Sequence, residues 1–493
     1  MFPSLLAPLS KPLARGFEAA RGTIGSLTWG PALTVAKPAI EGVLRQIQIG
    51  TLVLVDEPAG RRLVFGQKLS SKGTRGLDAG DDGSAPRTNG CKARIESASS
   101  AGPPRVELVV KRDAFWMRLL LFADMGFAES YMLGDFECAD LTAFFRLFII
   151  NREKLGNGTT HFSSISSAVT SLARTTNALG NSLLNISAHY DISNDMFAAF
   201  LSPDMTYSCP IWKAVGGSET ASEEREESLE EAQMTKLRRF IDGARIKSTD
   251  HVLEVGTGWG SFAIEAVRTT GCRITSLTLS REQKALAEER ISAAGLSDRI
   301  QVLLMDYREL PVPEQRYDKI VSIEMIEAVG EEFLSTYFAR INQLLKQDGG
   351  IAVFQAITMP EGRHEAYSKR EDFINKYIFP GGYLPSTTQL INHITKESQG
   401  TLIVERIENI GGHYTKTLRL WKESFLASFD TRIRLALKKE HADMTEQEID
   451  VFRRKWEYYF TYCEAGFLTK TLGDVIITVG REGAMELMEK IPL

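Results

Sequence analysis

The 493-residue sequence has few cysteines, no long apolar run and little excess charge. Five cysteines without a C-x-x-C pair give no disulfide framework and no zinc motif, so we expect reduced thiols, no bound metal and a cytoplasmic location. No apolar stretch reaches the roughly 18 residues that a membrane-spanning helix needs. A net charge of −5 argues against nucleic acid as a partner. The same net charge is compatible with a local basic patch on a side that faces a membrane.

The most informative stretch begins at His251, where a β-branched run meets glycines at Gly256, Gly258 and Gly260. A helical pattern follows, so the order is strand, tight turn and helix. Glycine permits φ > 0 and lets a ligand approach the backbone without a Cβ in the way. The dinucleotide pattern G-x-G-x-x-G is not met, because Ser261 stands at the third glycine position. The spacing G-x-G-x-G is typical of S-adenosylmethionine-dependent methyltransferases, with a purely structural turn as the alternative.

From Leu229 onward, strand and helix patterns alternate. We predict strands at 251–255, 272–279, 300–306, 317–323 and 350–357, and helices at 229–246, 261–269, 281–294 and 331–346. Alternating units of this kind imply a mainly parallel sheet with helices on both faces. Ligands bind such sheets at the carboxyl ends of the strands.

Polar and aromatic residues are concentrated at these predicted strand ends. They comprise Thr278, Gln283, Asp306, Tyr307, the segment 324–330 and the segment from Gln355 to Thr358. Thr278 and Asp306 suit ribose hydroxyls or an adenine amino group, and Tyr307 offers a flat face to adenine. Glu327 is notable because an unpaired carboxylate is costly to bury in an apolar stretch.

The first part of the chain has a different pattern. We predict a helix at 32–47, strands at 50–55, 62–65 and 105–111, and aromatic-rich helical structure at 115–151 that packs into a core. Residues 69–104 have too little apolar content to bury and are predicted to form a mobile loop. The predicted organisation is an N-terminal extension (1–34), a small α+β domain (35–151), a linker (152–186) and a catalytic domain (187–493).

Seven motifs between residues 186 and 480 carry a resemblance to a known family. They are HYDISND at 189–195, MTYSC at 205–209, LEVGTGWG at 253–260, LTLSREQ at 277–283, SIEMIEAVG at 322–330, YIFPGG at 377–382 and HYTKTLRLW at 413–421. Together they resemble cyclopropane-fatty-acyl-phospholipid synthases and the wider group of mycolic acid cyclopropane synthases. The segment FAESYMLG at 127–134 is similar to the family's N-terminal domain.

The resemblance implies a Rossmann-like class I methyltransferase domain with a mainly parallel seven-stranded sheet, preceded by a smaller α+β domain. It also implies methyl transfer from S-adenosylmethionine to a cis double bond of a membrane phospholipid acyl chain. A bound bicarbonate would then remove a proton from the new methyl group, and the ring would close. The implied partners are membrane phospholipids at a peripheral membrane surface, and a homodimer is left open.

The resemblance also implies which residues form the site. Bicarbonate would be held by Cys209, Glu327, Gln355, Ile357 through its backbone, Tyr414 and Cys463. Together with the strand-end positions, it assigns the methyl donor to Tyr207, Ser208, Gly256, Gly258, Gly260, Thr278, Leu279, Gln283, Asp306 and Tyr307.

Gln355 departs from the bacterial pattern, which has a histidine there, and is similar to a eukaryotic branch of the family. Glutamine can donate a hydrogen bond to an anion but cannot become cationic. It therefore leaves open a related lipid methyltransferase that yields a methyl- or methylene-branched chain. Two weaker alternatives are a lipid-binding protein with a degenerate methyltransferase fold and a nicotinamide-dependent dehydrogenase.

Overall fold

The computed structural model describes residues 30–66, 102–155, 193–214 and 226–489. The chain divides into two compact units, Met1–Gly180 and Asn181–Leu493. Most of the predicted loop, linker and N-terminal extension lies outside the described residues. No described helix is both long enough and apolar enough to cross a membrane.

The first unit contains a four-stranded sheet in the order β2-β1-β3-β4. Its elements are helix α1 (30–44), strands β1 (Thr51–Asp56), β2 (Arg61–Gly66) and β3 (Arg105–Val110), helix α2 (Ala114–Met132), strand β4 (Phe136–Cys138), and helices α3 (Leu141–Ile150) and α4 (Arg152–Leu155). Strand β1 pairs antiparallel with β2 and parallel with β3. The predicted α+β character of this region agrees with these elements.

The helical stretches predicted between 115 and 151 are present, and a short strand separates the first two of them. Helix α2 ends at Met132, and Gly134 takes a φ of +74°, which turns the chain back toward the sheet. Residues 136–138 then pair with β3 as strand β4. Three residues are too short a run to show a strand periodicity, so pairing with β3 decides their conformation.

Aromatic side chains fill the core of the first unit. Phe127 stacks on Phe144 with ring centroids 4.6 Å apart, and Phe115 and Phe136 meet edge to face at 5.3 Å. All four rings are buried. The aromatic run in this region therefore packs as a core, as predicted from its helical spacing.

The second unit contains a seven-stranded sheet in the order β10-β11-β9-β8-β5-β6-β7. Its elements are α5 (Asn194–Phe200), α6 (Leu229–Gly243), β5 (His251–Val255), α7 (Ser261–Thr270), β6 (Arg273–Thr278), α8 (Arg281–Ala293), β7 (Ile300–Leu304), β8 (Lys319–Ile323), α9 (Leu334–Leu344), β9 (Ile351–Thr358), α10 (Glu361–Ser368), α11 (Phe373–Tyr377), α12 (Thr387–Glu397), β10 (Ile403–Asn409), α13 (Tyr414–Ser428), α14 (Arg434–Glu440), α15 (Glu446–Leu468) and β11 (Gly473–Gly480).

Strands β5 to β9 run parallel, whereas β11 is antiparallel to both β9 and β10. The mainly parallel α/β sheet is thus confirmed, and the five strands predicted from periodicity lie within a few residues of their predicted bounds. Because parallel strands share a direction, the carboxyl ends of β5, β6, β7, β8 and β9 meet at one edge of the sheet. Residues that follow these strands are thereby brought together.

Helix α6 begins where the sequence predicts, at Leu229. The side chain of Ser228 accepts a hydrogen bond from the N–H of Glu231, and the Glu231 carboxylate accepts one from the N–H of Ser228. This capping box satisfies two N–H groups that the helix leaves unpaired. The same arrangement, with Thr445 and Glu448, begins α15.

Asn151 fastens the end of α3 to the segment before β1. Its amide oxygen accepts the N–H groups of Gln48 and Ile49 at 2.9 and 3.0 Å. Its amide nitrogen donates to the carbonyls of Ile49 and Leu147, both at 2.8 Å. We expect Asn151→Ala to destabilise the first unit by about 2–4 kcal/mol, because four backbone groups, most of them partly buried, lose their partner. Hydrogen–deuterium exchange of the amides around residue 49 should accelerate.

Gln48→Ala is the matched control, because the Gln48 side chain is exposed and only its backbone contacts Asn151. This variant should leave the exchange rates close to those of the wild type. Equal exchange in all three proteins would contradict the role given to Asn151.

Candidate active site

A cavity of about 650 Å³ lies at the carboxyl ends of β5 to β8. The residues predicted for the methyl donor, apart from Gly260, all line it: Tyr207, Ser208, Gly256, Gly258, Thr278, Leu279, Gln283, Asp306 and Tyr307. They come from the glycine turn, from the ends of β6 and β7, and from the loop after α5. The sheet and that loop thus bring together residues up to a hundred positions apart.

Gly260 is the one predicted donor residue that lies outside the lining of this cavity. It precedes α7 with a φ of +86°, and a Cβ placed on it would lie 3.4 Å from the Cβ of Ala287. That distance is an ordinary contact, so the left-handed backbone is the reason that the third position of the motif favours glycine.

The far side of the cavity combines apolar and polar groups. Leu279 is 73% exposed, which is unusual for a large apolar side chain at the end of a core strand. The Thr278 hydroxyl donates to the side-chain oxygen of Gln283 at 2.9 Å. The Asp306 carboxylate accepts two hydrogen bonds from the Arg308 guanidinium, which lower the pKa of Asp306 and keep it ionised. An apolar surface beside fixed polar groups suits a planar base joined to a sugar.

Glu254 lies on the floor of the same cavity, one residue before the end of β5. Its carboxyl group accepts a hydrogen bond from the Ser276 hydroxyl. Desolvation by burial raises the pKa of Glu254 to about 8, against the opposing effects of Ser276 and Lys236. Glu254 is therefore mostly protonated at neutral pH and can donate a hydrogen bond into the cavity.

The centre of the site is the carboxylate of Glu324, which directly follows β8 and also lines the cavity. One of its oxygens accepts hydrogen bonds from the N–H of Cys209 and the side-chain amide of Gln355, both at 2.6 Å. The other accepts the Tyr414 hydroxyl at 2.6 Å. The Gln355 amide nitrogen also lies 2.8 Å from Asp474, which is fully buried in β11.

Glu327 is a second carboxyl group of the site, three residues after Glu324 and within a short 3-10 turn. One oxygen accepts the backbone N–H of Ile357, and the other is buried with no hydrogen-bond partner among the described residues. Burial and then the nearby charge of Glu324 raise the pKa of Glu327 to about 8. Glu327 and Ile357, which family resemblance placed in one site, are thus in direct contact.

The two cysteines predicted for the site differ in their contacts. Cys209 meets Glu324 through its backbone N–H, while its thiol points to the carbonyls of Pro210 and Ile410. Cys463 is partly buried on α15 near Tyr207, whose pKa is raised chiefly by burial. Desolvation raises the pKa of both thiols, so both are neutral at physiological pH and neither acts as a thiolate.

Sequence reasoning missed three buried groups of this site: Glu324 as its centre, Asp474 and Lys236. Lys236 is fully buried on α6 and donates to the Ser208 hydroxyl at 2.6 Å. Its spacing could have revealed it, since it lies four residues after buried Ala232 and four before buried Phe240, on the apolar face of the helix. Asp474 has no such local signal, because its partner Gln355 lies 119 residues away.

Burial and the charges of neighbouring groups together set the pKa values of the buried carboxyl groups. Desolvation, followed by the charge of Glu324, raises the pKa of Asp474 well above its usual range. Burial also raises the pKa of Glu324, but hydrogen bonds from Cys209 and Tyr414 and the charge of Lys236 oppose that rise. Because three donors converge on Glu324, we place the negative charge there, and the raised pKa values of Asp474 and Glu327 favour their protonated forms.

The donors expected to hold bicarbonate are engaged by carboxyl groups of the chain itself. The N–H of Cys209, the amide of Gln355 and the hydroxyl of Tyr414 bind Glu324, and the N–H of Ile357 binds Glu327. A further anion would find these donors occupied and would face a negative charge. The residues present do not fit bicarbonate. In the described parts of the chain, no group of His, Cys, Asp and Glu is arranged to hold a metal ion.

Comparisons with known proteins identify the family of this chain. The family model of mycolic acid cyclopropane synthetase matches residues 178–476. The tuberculostearic acid methyltransferase of Mycobacterium tuberculosis is 38% identical over 389 residues, covering 78% of this chain and 86% of that protein. The cyclopropane-fatty-acyl-phospholipid synthase of Escherichia coli is 30% identical over 398 residues, covering 78% of this chain and 91% of that protein.

Among solved structures, coclaurine N-methyltransferase bound to N-methylheliamine and SAH superposes with a TM-score of 0.52 at 19% identity, over 73% of this chain and 99% of that one. At this identity the likeness concerns the fold alone, which is that of class I methyltransferases. The family match covers the second unit, where the cavity and the carboxyl cluster lie. The chain belongs to the mycolic acid cyclopropane synthetase family of S-adenosylmethionine-dependent lipid methyl- and cyclopropane-transferases.

Proposed function

We propose that this protein transfers a methyl group from S-adenosylmethionine to the cis double bond of an unsaturated phospholipid acyl chain and closes a cyclopropane ring. The observation that carries the proposal is the position of Glu324. Its carboxylate lines the cavity of the methyl donor and is the centre of the residues expected to complete the reaction. The residues assigned to the methyl donor and those expected to complete the reaction thus share one site.

The cavity fits the methyl donor. Gly256 has a φ of +104°, and a Cβ on it would lie 3.2 Å from the Cβ of Met325, so only glycine leaves the turn open. Leu279 and Tyr307 offer apolar faces for adenine, and the charged Asp306 offers acceptors for hydroxyl groups. When bound, S-adenosylmethionine supplies an electrophilic methyl group.

Aromatic rings around the site suit a cationic intermediate on the lipid. Phe197, Tyr207 and Phe379 line the cavity, and the ring of Tyr207 lies 5.0 Å from that of Trp421. The electron-rich faces of such rings stabilise a positive charge, and their bulk excludes water that would trap it. An acyl chain carrying a carbocation is therefore compatible with these surroundings.

The electron balance leads to two products. The double bond forms a new C–C bond to the methyl group, which leaves a positive charge on the neighbouring carbon. Loss of a proton from the new methyl group lets that C–H electron pair close the ring. If a hydride first moves from the methylated carbon to the cationic carbon, the same proton loss gives a methylene branch.

The methylene-branched product is our second candidate. It is favoured by the 38% identity to a protein named tuberculostearic acid methyltransferase. Both products require one methyl donor, one unsaturated acyl chain and one base, so the same residues serve either. A phospholipid substrate further leads us to propose peripheral association with a membrane on its cytoplasmic side. A homodimer stays a prediction.

The activity can be tested directly with purified protein, S-adenosylmethionine carrying a labelled methyl group and liposomes of an oleoyl phospholipid. We expect acyl chains that gain one CH₂ and retain the label. Mild hydrogenation distinguishes the products, because a methylene branch takes up hydrogen whereas a ring resists. Liposomes of a fully saturated phospholipid are the control. If the protein bound the donor but left oleoyl lipid unlabelled, the proposed function would be wrong.

The donor site can be tested by binding. Gly256→Ala should weaken S-adenosylmethionine affinity roughly tenfold, because the added Cβ strains the turn and crowds Met325. Gly295→Ala is the control, since Gly295 also has a positive φ of +70°, but a Cβ added there would meet no atom within 4 Å and Gly295 has no place in the cavity lining. Isothermal titration calorimetry should show normal affinity for the control. Equal affinities in both variants would exclude the assigned site.

A further inference from the structure

We infer that the carboxylate of Glu324 is the base that removes the proton from the methylated acyl chain, in the place that family resemblance gives to bicarbonate. This inference rests on the proposed function. It assigns the last chemical step to a side chain of the protein. A dissolved anion is then unnecessary for turnover.

The first support is the set of hydrogen bonds. Cys209, Gln355 and Tyr414 are residues expected to hold a bicarbonate, and each donates to a Glu324 oxygen at 2.6 Å. Carboxylate and bicarbonate are both planar anions with two adjacent acceptor oxygens. The side chain thus satisfies the donors that would otherwise bind the ion.

The second support is the direction in which Glu324 faces. Glu324 lines the cavity that also contains the glycine turn and Tyr207, whereas the carboxyl groups of Glu327 and Asp474 do not line it. A base must come within hydrogen-bond reach of the proton that it removes. Of these three carboxyl groups, Glu324 is the one that opens onto the reacting space.

The third support is the backbone of Glu324, which has a φ of +45°. Residues with a Cβ rarely adopt this left-handed conformation, which costs about 1 kcal/mol or more and favours glycine. Strain of this kind persists where the surrounding structure holds the residue for a purpose. Here the carboxylate offsets the strain through three short hydrogen bonds.

The proton transfer balances without any further reactant. A C–H bond of the new methyl group breaks, its electron pair forms the C–C bond that closes the ring, and the proton forms an O–H bond on Glu324. The positive charge of the lipid and the negative charge of the carboxylate cancel. Glu324 then returns the proton to water before the next turnover.

The inference is tested by exchanging the base. Glu324→Gly should lower turnover by roughly 100-fold or more, because general-base catalysis is lost. Millimolar bicarbonate or formate should restore at least a tenth of the wild-type rate by entering the space left by the side chain. Glu324→Gln should be equally slow but should gain nothing from either anion, because its amide fills that space. The wild type should run at full rate in bicarbonate-free, CO₂-purged buffer.

Controls separate folding from chemistry. Gln399→Gly relieves a similar strain, at a φ of +55°, on an exposed residue outside the cavity, and it should neither lose activity nor respond to bicarbonate. Calorimetry should show normal S-adenosylmethionine binding in both Glu324 variants. A wild type that needs added bicarbonate, or a folded Glu324→Gly that bicarbonate and formate fail to rescue, would overturn the inference. If a wild type that needs bicarbonate still transfers the label to the lipid, the proposed function remains correct and only the inference on Glu324 fails.

A second variant tests how the base is tuned. Tyr414→Phe removes a hydrogen bond that lowers the pKa of Glu324, so the acid limb of the pH–rate profile should move to higher pH. Other titratable groups around the carboxylate stay in place: Tyr207, Cys209, Lys236, Glu327, Tyr459 and Asp474. Donor affinity should not change. An unshifted acid limb in an active Tyr414→Phe protein would contradict Glu324 as the base.

Discussion

The arrangement of the second unit depends on keeping one carboxylate ionised where water is scarce. Removing such a group from water costs several kcal/mol unless hydrogen bonds compensate. The compensating donors come from the loop before α6, from β9 and from the start of α13. These segments lie up to 115 residues from Glu324 along the chain. The charge of Glu324 therefore specifies how distant parts of the sheet and its helices meet.

The same charge explains the neighbouring proton positions. Burial, and then the charge of Glu324, raises the pKa of Asp474 and Glu327 and favours their protonated forms, while the nearby Lys236 opposes the rise in the pKa of Glu324. Three carboxyl groups in one low-dielectric region could not all be ionised. Within this carboxyl cluster one negative charge faces the cavity, and it matches a reaction whose intermediate carries a single positive charge.

The sequence was sufficient for the parts of this architecture that depend on local pattern. Repeated apolar runs and helix starts predicted β5 to β9, and the glycine turn predicted the cavity that lies beside it. Strand β10 lies at an exposed edge of the sheet, so its apolar and polar residues alternate only weakly, and β4 has only three residues. Periodicity therefore predicted neither strand. From the sequence, Glu324 is a polar residue directly after a predicted strand. Its importance comes from Cys209, Gln355 and Tyr414, which only the folded chain brings within 2.6 Å.

Strand β11 lies between β9 and β10 in the sheet although it is made after both. Among the described strands, β10 pairs only with β11. During synthesis it therefore stays unpaired until β11 has been made and has inserted between β9 and β10. Asp474 belongs to this strand, so the carboxyl cluster is completed in the same event. Nascent chains shorter than about 480 residues would expose two unpaired strand edges, which favour aggregation. Assembly of the reactive centre is thus a late step that coincides with closure of the sheet.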